Sequence, residues 1–474
     1  MEEKRNESFN GEQLRGGEEN NNRLECVATP VDYNSITLVN IWKFLVFSAI
    51  GIWVFFVPVT FGGTTAVSMV LLIDAVKGLM GGILNWLVMA ICVTLSITFT
   101  LSQVKKDSIF SGFHEKDGWF TGLLYYLAAI FAVMLIFEIG PEQILNPEVG
   151  GLSIDLAGNV LFTVTIAGWL VTLLIEFGIL EFIGTLMEPV MRIAFKLPGQ
   201  SAVTAVSAFV AAPAVGVFMT NKLYNENVYT EKEACCVATN FSVVSLGFFA
   251  LLVSITGTVE MYGKVAVSSL IITFILAAIV IRIPPLSKKK DRYANGMEQT
   301  PEMRAAGRYS RDIFKKAFAA ATTKASKTPM SVFVTSVPDV VSFAVKIVAF
   351  VQAIAVISLL ISKYTPFFTW VGAPMIPYLQ LMGMPDAAAI APATLVGIAE
   401  ITLPVLTIAG QNIAPMSIFF VIVLSTVQII FFTESANAML QSDIGLNFLD
   451  LVFIFLIRTL IAIPIVAAFA HLLF

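Results

Sequence analysis

At 474 residues, 57% of them hydrophobic and only 13% charged, with a mean hydropathy of +0.83, the chain is too apolar for a soluble protein. Its length accommodates roughly 8 to 12 membrane spans of about 20 residues each, with loops. The net charge of -4 excludes nothing by itself, because in such a chain the placement of Lys and Arg carries the information. Cys26, Cys92, Cys235 and Cys236 show neither metal-ligand spacing nor a disulfide framework and read as small packing residues.

Residues 1–40 are polar and mildly acidic, without the apolar core of a signal peptide, and read as a disordered cytoplasmic tail. Nearly charge-free segments follow at 41–62, 81–102, 119–138, 156–175, 234–259, 265–281, 340–362, 411–433 and 447–472, which gives about nine spans. The short stretch 67–80 contains Asp74 and Lys77 and reads as a half-helix or surface segment. Between 287 and 330, Lys and Arg recur from Lys288 to Lys327, so this segment is expected on the cytoplasmic side. The same rule puts Lys105, Lys106 and Lys116, and the amphipathic stretch with Arg192 and Lys196, inside. The N-terminus is then inside and the C-terminus outside. Glu188 and Arg192 have the i,i+4 spacing of a weak surface pair. Lys346 and Glu434 fall near cytoplasmic ends, where a charge costs little.

Residues 386–410, DAAAIAPATLVGIAEITLPVLTIAG, are apolar enough to enter a bilayer but are broken by Pro392, Gly397 and Pro404 and carry Glu400. Irregular backbone and a carboxylate are tolerated at membrane depth only inside protein or beside a watery cavity, as in re-entrant hairpins. A second broken stretch follows Leu197-Pro198-Gly199 and runs to Thr220. Each is preceded by a span and an interfacial segment and followed by two more spans. With a hairpin that enters and leaves on one side, each unit crosses three times, and the odd number inverts the second copy. The expected divisions are a tail (1–40), N-terminal scaffold helices (41–155), a first repeat (156–286), a basic cytoplasmic linker (287–330) and a second, inverted repeat (331–474).

This plan, with LPGQSAVTAVSAFVAAPAVGV followed by ATNFSVVSLGF and the N-terminal FSAIGIWVFFVPVTFGG, resembles the bacterial Gate or nucleoside-recognition membrane proteins, specifically the YjiH-like group. More distantly it is similar to concentrative nucleoside transporters, in which two re-entrant hairpins and two unwound helices cradle the solute and move as an elevator. The resemblance implies an all-α polytopic membrane protein, with about nine transmembrane helices and two re-entrant helical hairpins in an inverted repeat of Gate domains. It departs from those transporters in having Ala211-Ala212-Pro213 where they carry an acidic Gln-Thr-Glu type motif.

The hairpins are expected at about 199–221 and 386–410. Aligning Pro198 with Pro385 sets Pro213 opposite Glu400, so the acid occurs in one copy only. Helix ends at a hairpin tip offer unpaired backbone groups to a solute or cation. Candidate substrate-binding residues are Ser207 and Pro213 at the first tip, and Thr394, Glu400, Thr402 and Pro404 at the second, with Glu400 also the coupling residue. Aligning Phe248-Phe249 with Phe431-Phe432 sets Ser242 opposite Ser425 and Ser245 opposite Gln428, with Asn240 and Thr426 beside them, and these six complete the expected site. Arg458, deep in LVFIFLIRTLIAIP, needs an acidic partner such as Glu400 or Glu434, or an anionic substrate; a structural pair is favoured.

No Walker-type loop, HExxH, GxSxG or paired-acid motif is evident, and His114 and His471 are the only histidines. The leading expectation is a secondary transporter in the cytoplasmic (inner) membrane of a bacterium. It would move a small polar organic solute (amino acid, short peptide or nucleoside-like) by alternating access. Na+ or H+ is the expected coupling ion, and no cofactor or protein-bound metal is expected. The alternatives are a membrane-embedded enzyme, a solute-sensing receptor or a channel. Expected partners are the small-molecule substrate and membrane lipid, with a homo-oligomer compatible and no nucleic acid. A cysteine introduced between 287 and 330 is expected to resist an impermeant thiol reagent applied to intact cells. Labelling there from outside would reverse the topology.

Overall fold

A backbone that crosses a bilayer must satisfy its own hydrogen bonds, which makes helices of the long apolar runs. The computed structural model describes residues 32–61, 64–104, 110–115, 117–210, 212–304, 309 and 312–474. The expectations for residues 1–31, Lys105, Lys106, Lys116, Arg308, Arg311 and Ala211 lie outside the described residues.

In chain order, α1 (Leu38–Phe56) leads to the antiparallel strands β1 (Pro58–Phe61) and β2 (Thr64–Val67), in which Thr60 faces Thr65. The short α2 (Ser68–Met80) and the long α3 (Ile83–Val104) and α4 (Trp119–Phe137) follow. The first repeat comprises α5 (Pro147–Ile175), α6 (Ile179–Phe195), α7 (Gln200–Val210), α8 (Pro213–Asn225), α9 (Glu231–Phe241), α10 (Leu246–Ile255) and α11 (Val259–Val280). After α12 (Ile313–Lys327), the second repeat comprises α13 (Val332–Tyr364), α14 (Phe367–Gly372), α15 (Met375–Leu381), α16 (Ala387–Val396), α17 (Leu403–Ile408), α18 (Pro415–Gln428), α19 (Ser435–Gln441) and α20 (Phe448–Leu473).

Among the described residues, seven helices are long and apolar enough to cross a membrane: α1, α3, α4, α5, α11, α13 and α20. The two other expected spans, 234–259 and 411–433, are interrupted. The first stops at Phe241 and resumes at Leu246; the second stops at Gln428 and resumes at Ser435. Neither interruption contains Gly or Pro. Around the first, Ser242 and Ser245 flank the β-branched Val243 and Val244, side chains that compete with or crowd a helix. At the second, Ile429 takes a positive φ of 67°, rare and strained for a β-branched residue. The Ser435 hydroxyl holds this turn, donating to the Ile429 carbonyl at 2.5 Å and accepting from the Phe431 amide at 3.0 Å.

The repeat keeps a constant spacing. Pro198 and Pro385 stand 187 residues apart, and so do Phe241 and Gln428, the last helical residues before each interruption. Alignment on the Phe-Phe pairs is therefore in error by one helical turn: Asn240 corresponds to Val427, and Phe241 to Gln428. Equivalent helices of the two repeats also run in opposite directions where they touch. Along α5 and α13, Glu148 meets Lys363 (2.5 Å), Ser153 meets Gln352 (3.2 Å) and Trp169 meets the Phe333 carbonyl (2.8 Å). Along α11 and α20, Lys264 lies 4.3 Å from the Phe474 ring centre, while Lys289 beyond α11 pairs with Asp450 at 2.6 Å. Antiparallel contact between equivalent elements is what an inverted repeat requires.

The interfacial segments differ in character. On α14 and just before it, Tyr364, Phe367 and Trp370 are exposed, as aromatic side chains are at a membrane boundary. On α6, Glu188 and Arg192 do not form the expected weak surface pair. Arg192 is largely buried and binds Glu188 at 2.8 Å and Glu233 at 2.5 Å, while Glu188 also accepts from the Gly199 amide. Burial works against the Arg192 charge, yet Glu233 and Glu188 hold the guanidinium more firmly protonated than usual. Glu233 in turn caps α9 with Thr230. This network ties α6, the start of the first hairpin and α9 together. A methyl at Gly199 would collide with the Gly184 carbonyl, so α6 and the hairpin entrance meet backbone to backbone.

Residues 32–40 differ from the expected disordered tail. Asp32 and Ser35 hydrogen-bond Thr322 and Thr323 of α12, and α1 already begins at Leu38. The basic segment is itself docked: Lys324 pairs with Glu176 (3.3 Å) and Glu226 (3.0 Å), and the Arg292 carbonyl accepts from the Glu231 amide (2.8 Å). Lys346 is an anchor, bound to the Phe113 carbonyl at 2.8 Å and Asp117 at 3.1 Å.

Glu181 on α6 sits beside this basic helix with its Oε2 enclosed and unpartnered. Burial pushes its carboxyl up to about 7, against the pull of Lys324. A pKa raised on folding favours the folded state at low pH, and that advantage disappears as pH rises through about 7. Glu181→Gln should therefore raise the melting temperature of the purified protein at alkaline pH. Near pH 3, where the carboxyl is almost fully protonated in both states, it should leave stability unchanged. Equal effects at both pH values would contradict this.

Candidate functional site: the junction of two hairpins and two interrupted helices

Small residues let the limbs of the first hairpin close on each other, with Gly216 against Ala208, and Pro213 opens α8 where a missing amide costs nothing. The second hairpin has shorter limbs, α16 and α17, joined by Gly397–Thr402. Both tips and both interruptions share one apolar cluster: Phe209 of α7, Val243 and Val244 of the first interruption, Ile401 of the second tip, and Ile429 and Phe431 of the second interruption. The four irregular pieces of the chain thus meet in one place.

Polar contacts bind them. The Phe432 amide donates to the Ile398 carbonyl (2.8 Å) and the Thr433 amide to the Ala399 carbonyl (3.2 Å), so the second interruption pairs with the second tip. Glu434 accepts from the Ala214 amide at 3.1 Å, at the N-terminus of α8, where a carboxylate is favoured. Instead of a cheap charge at a membrane end, Glu434 joins the first hairpin to the second interruption. Glu400 caps α17: one carboxylate oxygen accepts from the Thr402 amide (2.6 Å), the Leu403 amide (3.2 Å) and the Thr402 hydroxyl. The Glu400 and Glu434 carboxylates lie within electrostatic reach of each other.

Gln428, the last residue of α18, donates to the Thr394 carbonyl (2.7 Å) and the Thr459 hydroxyl (2.8 Å). The adjacent Arg458, fully buried, donates from Nε to the Val427 carbonyl (2.5 Å) and from Nη1 to the Asn240 Oδ1 (2.6 Å). Asn240 and Val427 are the equivalent positions of the two repeats, so α20 reads both interruptions with one guanidinium. The expected acidic partner is absent: among the described residues, neither Glu400 nor Glu434 nor any other carboxylate pairs with Arg458.

Of the expected site residues, Asn240, Thr394 and Gln428 are brought together through Arg458 and Thr459, and Glu400 and Thr402 form the second tip. Ser242 lies at the first interruption against Gly216, and Ser245 precedes α10 without capping it. Ser207 is buried on α7 with its hydroxyl unpartnered. Ser425 and Thr426 spend their hydroxyls on the Ile422 and Val423 carbonyls, and Thr426 also pairs with Ser269 of α11, which makes them helix-packing groups. Thr459 and the linking role of Glu434 were missed. The deep Arg458 was the available signal, and the residue beside it follows from that.

Buried polar atoms left without partners cost free energy unless something else meets them. The junction holds several: Gln428 Oε1, Arg458 Nη2 and Asn437 Oδ1. Paired broken elements lined by unmet polar groups are the architecture of a transporter's solute site. These features define a multi-pass membrane protein of transporter-like build.

Residues 157–259 match the family model Gate, described as nucleoside recognition. An uncharacterized protein of Alkalihalophilus pseudofirmus, BpOF4_10220, is 34% identical over 454 residues, covering 93% of this chain and 96% of that one. A sporulation integral membrane protein of Bacillus subtilis, YlbJ, is 36% identical over 86 residues, 16% of this chain and 21% of that one. No solved structure matches. The chain belongs to the family of Gate-domain, nucleoside-recognition membrane proteins.

A Cβ at Gly397 would stand 2.5 Å from Gln428 Oε1 and 3.2 Å from the Pro404 ring, so the second tip needs glycine to approach α18. Gly397→Ala should force the tip off Gln428 and cost about 1 to 3 kcal/mol, the usual price of overpacking. A lowered melting temperature checks this; unchanged stability would mean that the tip does not press on Gln428.

Proposed function

We propose that this protein is a secondary transporter of a bacterial cytoplasmic membrane, carrying a small polar organic solute by alternating access between its two repeats. The observation that carries the reading is the meeting of both hairpins and both interrupted helices at one cluster, with unmet polar atoms of Gln428, Arg458 and Asn437 beside it. A solute bound there would touch both repeats, and displacement of the hairpins against α5 and α13 would expose it to one side and then the other. Asn240, Gln428 and the two tips are the proposed solute contacts, with Ser207, Ser242 and Ser245 lining the first half. Na+ could take backbone carbonyls at the tips and interruptions; H+ could take Glu400, with Glu434 as its electrostatic neighbour. Nothing in this reading requires a cofactor or covalent chemistry.

The test is Glu400→Gln. Its amide oxygen can still accept from Thr402 and Leu403, so the cap on α17 and the fold should survive. Proteoliposomes incubated with a bacterial metabolite extract, under an imposed Na+ or H+ gradient, reveal transported solutes by mass spectrometry. Wild-type protein should accumulate a solute against its gradient, and Glu400→Gln should reduce that accumulation roughly tenfold or more, the loss of about 1.4 kcal/mol of coupling. Undiminished accumulation by a well-folded Glu400→Gln variant would leave Glu400 a capping residue alone.

A further inference from the structure

Arg458 carries a charge that no carboxylate among the described residues pairs with. Its side chain is fully buried, halfway along α20, where snorkelling to water is not open to it. Both of its acceptors, the Val427 carbonyl and Asn240 Oδ1, are neutral. Its Nη2 has no acceptor at all, and no carboxylate pairs with it among the described residues. Burying a cation without a counter-charge is costly, and proteins keep such a residue where something negative meets it. The unmet nitrogen belongs to the guanidinium that joins the equivalent ends of both interrupted helices, so whatever meets it binds where the two repeats come together.

Gln428, next in the chain to Val427, adds a second requirement. Its Nε2 is committed to the Thr394 carbonyl and Thr459, which fixes the amide orientation and leaves Oε1 as an unmet acceptor. Thr459 and Arg458 are neighbours on α20, and Gln428 and Val427 on α18, so the unmet donor and the unmet acceptor lie at the same contact between these two helices. A solute that satisfied both would offer an anionic oxygen to Arg458 and an O–H or N–H to Gln428.

We propose that the solute of this site is a small organic acid carrying a hydroxyl or amino group, its carboxylate held by Arg458 and its donor by Gln428 Oε1. The inference rests on the transporter reading above and narrows its substrate class. Guanidinium suits the task because it stays charged when buried and presents several donors in one plane. Arg458 would bind solute rather than act as a transported charge, so the site would favour entry of an acid and reject a cation that has no acid group.

Thermal unfolding of the full-length protein in detergent tests this with malate, glutamate, succinate, inorganic phosphate, uridine and putrescine as probes, because a ligand of the folded state raises the melting temperature. Malate or glutamate should stabilise the wild type more than succinate, which has no donor beyond its acid groups, and more than phosphate. Uridine and putrescine should do nothing. Arg458→Gln should weaken the acid response roughly tenfold or more, as expected for losing a hydrogen bond to a charged group. Gln428→Met should remove the preference for malate over succinate. If Arg458→Gln fails to fold, Arg458→Lys, which keeps the charge, should retain a weakened acid response.

The proposal is overturned if no acid stabilises the wild type, if phosphate does so best, or if Arg458→Gln answers to acids as the wild type does. Stabilisation by uridine instead of the acids, lost in Asn240→Ala, would overturn the anion inference while leaving the solute site at the junction intact. Loss of every response together with unimpaired solute accumulation would place the site elsewhere.

Discussion

Backbone that stops being helical inside an apolar protein must find new partners, and the rest of this structure follows from how that requirement is met. Two hairpin tips and two helix interruptions each leave amides and carbonyls open. They satisfy one another: the second interruption pairs with the second tip through Phe432 and Thr433, and Glu434 covers the exposed amide of Ala214. The first of these pairings lies within the second repeat, and the Glu434–Ala214 bond carries it across to the first. The inverted pairing of α5 with α13 brings the irregular pieces within reach, so the scaffold and the site are parts of one solution.

That arrangement is also why a few polar residues at the junction matter more than the much larger apolar surface around them. The apolar faces of α1, α3, α4 and α11 leave many large side chains exposed, as lipid-facing helices do, and specify little beyond insertion. Arg458 and Gln428 tie together the ends of α9 and α18 and the second hairpin. Arg192 plays a comparable part at the entrance to the first hairpin, where it joins α6 to α9 through Glu188 and Glu233. Both arginines act on helix ends, one inside the junction and one at the base of the first hairpin, at the opposite ends of α7 and α9.

The class of fold, both hairpins and the repeat were legible in the sequence, since Pro198, Pro385, Pro392, Gly397 and Pro404 mark breaks that apolar helices do not need. The interruptions were harder to place. Residues 242–245 and 429–434 contain no glycine or proline, and their apolar run reads as a straight span until the tertiary partners of the freed backbone are known. The register of the second cluster went wrong for the same reason: matching Phe-Phe pairs follows composition, whereas helix ends follow the 187-residue spacing. Arg458 announced itself by depth, but its partners did not, because an unpaired buried charge suggests a carboxylate and the chain supplies an amide and a carbonyl. Residues 32–40 looked polar enough to be disordered, and only Thr322 and Thr323 reveal what holds them.

If the junction is the solute site, its two tips must part for the solute to enter and leave. Tethering them tests that claim most directly. In a background with the native cysteines replaced, Phe209→Cys on the first hairpin and Ile401→Cys on the second can be joined by a bifunctional methanethiosulfonate reagent, and solute accumulation in proteoliposomes measured before and after reduction. Accumulation should stop in the tethered protein and return when the disulfides are reduced, while each single-cysteine variant treated alike keeps working. Undiminished accumulation with the two tips covalently joined would contradict the account.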